Sequence, residues 1–378
     1  MARYHFYAVT IFALVVALAG CGESGDDAVV LEGGESYEIL DWNADEQRYE
    51  VMESTIETLR SRSEVQGDVA YLRGGGNIVI SNPYPTTREE FETAIEVEGD
   101  REPRTRYEVD DGVVKGWDYD SFLMFTLYHH LERAAEYFVR IGLDEDAVGT
   151  MPVYYSASMS QGFMQFTDNA AYASPIDAFI IPPQQLLRDL PMAANRGIIV
   201  HEYSHAVFNR LVHNAERAPD FMVESWSNEY VNRMLALDEG VADIFAALAI
   251  QDPDFIAHSV PPTNELFEAD RDLSVHREYT QSIRTSLSTS TDYFDPYELG
   301  SVIASTLWAL RGPVADDELL GSILLVTLAS FAEVEPPFTI ADFFDLLYAW
   351  MPPDAQSEAC NIFVDRLTAI SGELSCAN

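Results

Sequence analysis

Ile198-Ile199-Val200-His201-Glu202-Tyr203-Ser204-His205-Ala206-Val207-Phe208 reads as a buried apolar helix that carries two histidines and a glutamate. Residues four apart on an α-helix lie on one face, about 6 Å apart along the axis. The imidazoles of His201 and His205 therefore stand side by side, close enough to bind one metal ion. Zinc takes neutral imidazole nitrogens at about 2.0–2.1 Å, and a catalytic site keeps one position open for water. Glu202 is next to a ligand, where its carboxylate can reach that water and take its proton. The competing reading is a core helix whose histidines only hydrogen-bond. Burying two histidines and a glutamate among Ile, Val, Ala and Phe without a common partner is costly. A divalent cation is that partner.

The chain around this helix has 378 residues, enough for two or three domains and a substantial core. Hydrophobic residues make up 47% and aromatics 12%, which argues for a globular protein and against disorder. The charge is lopsided: 22 Lys+Arg face 63 Asp+Glu, a formal net charge of -41, and Lys115 is the only lysine. Such a surface repels phosphates and anionic headgroups, so neither nucleic acid nor a bare membrane surface is expected as a partner.

Residues 1–21 read as a targeting segment. Arg3 gives a weakly basic start, and Phe6 to Ala19 form an apolar run too short to remain as a spanning helix. The run ends Leu18-Ala19-Gly20-Cys21, which resembles a bacterial lipobox. That resemblance implies cleavage before Cys21, lipidation of Cys21, and an exported protein whose membrane contact is its lipid anchor. Residues 22–34 read as a flexible tether. Cys360 and Cys376 then remain as an even pair in an oxidising compartment, and a disulfide between them would pin the last helix to the chain end.

Residues 35–115 read as a small α/β region. Glu46 to Ser61 has helical spacing, with Tyr49, Met52, Ile56 and Leu59 on one side. Val69 to Leu72 and Asn77 to Ile80 look like strands on either side of Gly74-Gly75-Gly76, a turn. Glu98 to Asp111 is charged and contains Pro103, as a loop would. Residues 116–212 form the next lobe. Ser121 to Ile141 reads as a long helix with a serine or aspartate cap, closed by Gly142. His129 and His130 are adjacent on it, point to different faces, and are assigned to packing or surface. Strands follow at Met151–Tyr155, Gly162–Thr167 and Ala178–Ile181, then the histidine-bearing helix. Residues 213–378 open with a connector, Asn214 to Tyr230, and a helix over 234–248. Further helices are expected at 299–311, 316–332, 338–350 and 355–371. The class is α+β: a strand-bearing first lobe, a mainly helical second lobe, and the metal-binding helix between them.

Two imidazoles need a third protein ligand, and Glu239 is the best candidate because it sits on an otherwise apolar helical segment. Asp243, one turn on, can receive the second ring N–H of one histidine and fix its orientation. Asp238 reads as a surface or capping acid.

HEYSHAVFNRL (201–211) followed by DEGVAD (238–243) resembles the glutamate-zincin metallopeptidases, particularly the fungalysin and thermolysin groups. VYYSASMSQGFMQF (153–166) is similar to the edge-strand region that precedes the metal helix in those enzymes. DPYELGSVIASTLWAL (295–310) is similar to the helix that follows their active-site histidine. The resemblance covers about half the chain. It implies a thermolysin-like zinc endopeptidase with His201, His205 and Glu239 as ligands and Glu202 as general base. Gln161 and Gly162 would lie where a substrate backbone pairs with the strand. The chain departs from the pattern at the oxyanion donor, where Tyr297 stands nearest the usual histidine and Tyr293, His258 and His276 are alternatives. The expected partner is a peptide or protein substrate, handled by a monomer. The contrasting reading is a zinc-binding lipoprotein that keeps the scaffold without turnover.

Overall fold

Tyr37, Ile39 and Asp41 are buried while the residues between them are only partly so, and this period of two makes Glu35–Asn43 (β1) a strand. Its ladder partner is Arg48–Ile56 (β2), antiparallel, with Trp42 opposite Tyr49 and Ile39 opposite Met52. The helix expected over 46–61 is therefore absent: those residues form β2 and Leu59–Ser61 (β3). Val51, Thr55 and Ile56 are β-branched, and pairing with β1 outweighs a spacing that also fits a helix. The computed structural model describes residues 34–82, 88–184, 190–213, 229–260, 271–289, 295–334 and 338–377. The leader with Cys21, all of the tether but Gly34, nearly all of the 214–230 connector and Tyr293 lie outside them.

The remaining strands are Gln66–Gly67 (β4), Ala70–Gly74 (β5), Asn77–Ile80 (β6), Ile95–Glu98 (β7), Tyr107–Asp110 (β8), Val113–Gly116 (β9), Met151–Tyr155 (β10), Ser158–Gln161 (β11), Met164–Phe166 (β12), Ala171–Ala173 (β13) and Ala178–Ile181 (β14). They make three sheets, ordered β2-β1-β9-β8, β13-β14-β10-β5-β4-β3 and β12-β11-β6-β7. β8 falls inside the stretch expected to be loop; all four of its residues are exposed, so no apolar alternation marks it. The glycine run does not reverse the chain. β5 pairs in parallel with β10 and β6 in parallel with β11, so both strands bend together from the second sheet into the third. Gly75 and Gly76 (φ 62° and 92°) make that bend on one strand and Ser156 (φ 56°) on the other. The strand pair β5–β10 spans the boundary expected at 115/116 and β9 runs through it, so that point separates no layer of the fold.

The helices are Arg88–Glu92 (α1), Tyr119–Arg140 (α2), Arg196–Phe208 (α3), Glu229–Ile250 (α4), Gln281–Thr289 (α5), Pro296–Ala309 (α6), Arg311–Val314 (α7), Asp317–Phe331 (α8), Ile340–Trp350 (α9) and Gln356–Arg366 (α10). The class is mixed α+β, strands in the first half and helices in the second. α2 starts at an Asp118 cap, packs on the first two sheets and meets α3. Phe138 of α2 stacks on Tyr203 of α3 with centroids 5.6 Å apart and meets Phe245 of α4 at 5.0 Å, joining the two halves in one core. Cys360 and Cys376 form the expected disulfide, with Cα atoms 5.9 Å apart. Among the described residues no helix is long and apolar enough to cross a membrane.

α4 and α6 cross at glycines. A Cβ on Gly240 would stand 2.7 Å from the Gly300 carbonyl oxygen, and one on Gly300 would stand 3.1 Å from the Cβ of Glu239. This close approach fixes the helix turn that carries Glu239. Gly240→Ala is expected to destabilise the protein by roughly 1–3 kcal/mol through overpacking. An unchanged denaturant midpoint would show that the crossing relaxes freely.

Candidate metal centre and cleft

Asn195 caps α3: its side-chain oxygen accepts the Ile198 N–H at 3.2 Å, satisfying a first-turn donor. The Arg196 N–H donates to the Tyr49 hydroxyl at 2.9 Å, which donates in turn to Asn195 Oδ1 at 3.0 Å. Strand β2 thus holds the start of the helix that carries His201, Glu202 and His205.

One turn of α4 faces them. Nε2 of His201 lies 3.1 Å from Nε2 of His205, 3.4 Å from Glu239 Oε2, and the third side of the triangle is 3.8 Å. Behind the rings, His201 Nδ1 is 3.0 Å from Asp243 Oδ1 and His205 Nδ1 is 2.8 Å from Asp238 Oδ1. Asp238 hydrogen-bonds Nδ1 of His205 and Asp243 faces Nδ1 of His201, and a neutral ring with its proton on that side turns its Nε2 lone pair inward. Three electron-rich atoms then converge, and buried Glu239 Oε2 accepts no hydrogen bond from any described residue. Tetrahedral ligands at about 2.0–2.1 Å from an ion stand about 3.3 Å apart; two sides of the triangle here, 3.1 and 3.4 Å, are close to that and the third, 3.8 Å, is longer. His201, His205 and Glu239 are therefore a group that can hold a metal ion.

The electrostatics agree. Burial alone would lower the two histidines, but Asp243 and Glu239 outweigh it at His201, and Asp238 and Glu239 at His205, so both are raised. Burial alone would raise Glu239, yet the charges of His205, His201 and Arg271 hold it below the usual carboxylate range. In the metal-free protein the site draws in positive charge, and a cation meets the same demand.

Asp238 is thus no surface or capping acid. It orients His205 as Asp243 orients His201. Asp238→Asn is expected to weaken metal binding about 10–100-fold with little change in helix content. Competition against a chelating dye measures it, and wild-type affinity in the variant would remove Asp238 from the site.

Arg271 completes the shell. Its Nε donates to Asp243 Oδ2 at 3.1 Å, its terminal nitrogen bonds Asp243 Oδ1 and lies 3.6 Å from Glu239 Oε2, and its guanidinium sits 4.5 Å from the centre of the Tyr297 ring. The site opens into a cleft of about 280 Å³ lined by the two histidines, Glu202, Glu239 and Tyr297. Asn169 to Tyr172 line it as well, and the Tyr172 N–H donates to Glu202 Oε2 at 2.7 Å. That strand, β13, is an edge strand of the second sheet among the described residues.

Gln161 and Gly162 are not among the cleft's lining residues; Gln161 ends β11, Gly162 begins the turn to β12, and the strand edge at the cleft is β13. His258 pairs with Asp252 at 2.6 Å and packs on Trp42, and His276 is exposed beside Glu278; neither lines the cleft. Of the described candidates for oxyanion donor, Tyr297 alone reaches it. Asp238, Arg271 and Tyr172 were not anticipated. Arg271 is brought in by folding from 28 positions beyond Asp243, and no local spacing marks it.

A second buried group, Asp41, His129 and His130, joins β1 to α2 and could also gather about an ion. His129 Nε2 is 3.3 Å and His130 Nδ1 3.7 Å from the Asp41 oxygens, and His130 Nε2 donates to Ala194 O at 3.2 Å. Asp41 already accepts the Trp42 N–H at 2.8 Å and faces the Arg196 guanidinium at 3.6 Å. Burial pushes His130 down to about 3, so it stays neutral. Both histidines are buried and converge on Asp41 rather than pointing to different faces, and Arg196 faces the same carboxylate.

No protein-family model matches the chain, and no curated protein matches it.

Proposed function

We propose that the protein is a zinc-dependent endopeptidase of the thermolysin-like kind, exported and anchored through Cys21. The observation that carries the reading is the convergence of two imidazole Nε2 atoms and a carboxylate oxygen, 3.1–3.8 Å apart, beside Glu202 in an open cleft. His201, His205 and Glu239 would hold the ion, with Asp243 and Asp238 fixing the rings. Histidine nitrogens with one carboxylate suit zinc among the common divalent ions. When bound, the ion supplies a Lewis-acid charge that acidifies water and polarises a peptide carbonyl.

The chain's own residues do the rest. Glu202, held by the Tyr172 N–H, is placed to take the proton of the attacking water and to pass it to the leaving amine. The phenol of Tyr297 can donate a hydrogen bond to the developing oxyanion. The Tyr172 N–H of β13 is engaged by Glu202, so an extended peptide would meet this edge through the Tyr172 carbonyl.

The second reading, a zinc-binding lipoprotein without turnover, is favoured by one observation: a neutral phenol stands where a histidine is expected. Metal analysis of the purified protein, with hydrolysis of a peptide library before and after chelation, separates the two. Chelator-sensitive cleavage restored by zinc supports the peptidase. Stoichiometric zinc with no cleavage supports the binding protein, and failure to bind zinc at all ends both.

A further inference from the structure

We infer that the cleft selects cationic polypeptides, with basic side chains flanking the scissile bond. This rests on the peptidase reading and names its substrate class. The cleft is lined by Glu202, Asp238 and Glu239, and no lysine or arginine of the described residues lines it. Two of its lining residues have acidic neighbours in the sequence, one in each half of the chain. Phe91, which lines it from α1, lies in the sequence Glu89-Glu90-Phe91-Glu92, and Tyr297 lies between Asp295 and Glu298. Glu89 and Glu298 are exposed. Arg271 and Arg210, the nearby arginines, are committed to Asp243 and Asp177. A bound divalent ion offsets two of the three lining carboxylates and leaves those neighbouring acids acting on whatever approaches. The chain behind them carries -41.

The physical consequence is steering. A cleft lined by one sign of charge raises the local concentration and on-rate of an opposite ligand by about 10–10³-fold. Screening sets its range: the Debye length is about 30 Å at 0.01 M salt and about 8 Å at physiological strength. At low salt the whole surface contributes, whereas near physiological salt the neighbouring acids dominate. Aromatic Phe91 beside glutamates also suits the mixed apolar and cationic stem of arginine or lysine.

The test uses two fluorogenic peptides with one core sequence, flanked by arginines in one and by aspartates in the other. The zinc-loaded full chain is expected to show kcat/KM at least about 10-fold higher for the arginine peptide at low salt, contracting several-fold by about 0.5 M. A Glu89→Gln, Glu298→Gln double variant should reduce the preference near physiological salt. Glu53→Gln with Glu108→Gln, the same charge change on exposed strands of the first sheet, should leave it unaltered. Equal kcat/KM for both peptides, a preference insensitive to salt, or equal effects of the two double variants would overturn the inference. The same peptides are titrated into zinc-loaded Glu202→Gln by anisotropy. If neither peptide is cleaved, the peptidase reading falls, and the binding ratio alone decides whether the cleft selects cations.

Discussion

Glu202→Gln is expected to lower peptide turnover by about 10²–10⁴-fold while leaving zinc content and the melting transition unchanged. Glutamine has nearly the same shape, and its amide oxygen can still accept the Tyr172 N–H that Glu202 receives at 2.7 Å. The substitution removes a single capacity: taking a proton and handing it on. Glu202 donates no metal-facing atom to the triangle of His201, His205 and Glu239, so the ion should stay. The measurement is kcat alongside metal stoichiometry on one preparation. Undiminished kcat with zinc retained would eliminate Glu202 as the base, and a loss of zinc would show that it supports the metal instead.

The second large effect is expected at Glu239. Glu239→Gln keeps the volume but replaces a charged oxygen, 3.4 Å and 3.8 Å from the two imidazole nitrogens, by a neutral one. Activity should vanish at sub-micromolar zinc because the site no longer retains the ion. The readout independent of turnover is thermal: a ligand at about 1,000 times its dissociation constant stabilises the folded state by about 4 kcal/mol. Wild-type protein should therefore melt higher with added zinc, and the variant should not respond. An equal zinc-induced rise in both would place the ion elsewhere, and Asp41 with His129 and His130 would be the first place to look.

The parts of this site that were legible in the sequence are those where polarity conflicts with its surroundings. His201, Glu202 and His205 stand out among Ile198, Ile199, Val200 and Val207, and Glu239 and Asp243 stand out beside Val241, Ala242 and Ile244. Asp238 carries no such signal, because it is one acid among 63 and its role follows from a 2.8 Å contact with a residue on another helix. Arg271 is invisible for the same reason. In the fold, long helices with one apolar face were readable at nearly their full extent. β2 was not, because Tyr49, Met52, Ile56 and Leu59 satisfy a helical spacing until β1 is known to lie alongside. The edge strand at the cleft was misplaced because Ala171-Tyr172-Ala173 is too short to show alternation, whereas β12 and its turn resemble a strand more strongly.

The position of β5 between β10 and β4, together with the grip of Tyr49 on the start of α3, bears on how far the first half of the chain can be cut back. Trimming the polypeptide up to Gly116 would not unmask a ready catalyst. It would extract an inner strand from the scaffold and release the anchorage of the histidine-bearing helix, so any processing compatible with a working centre must stop upstream of Glu35.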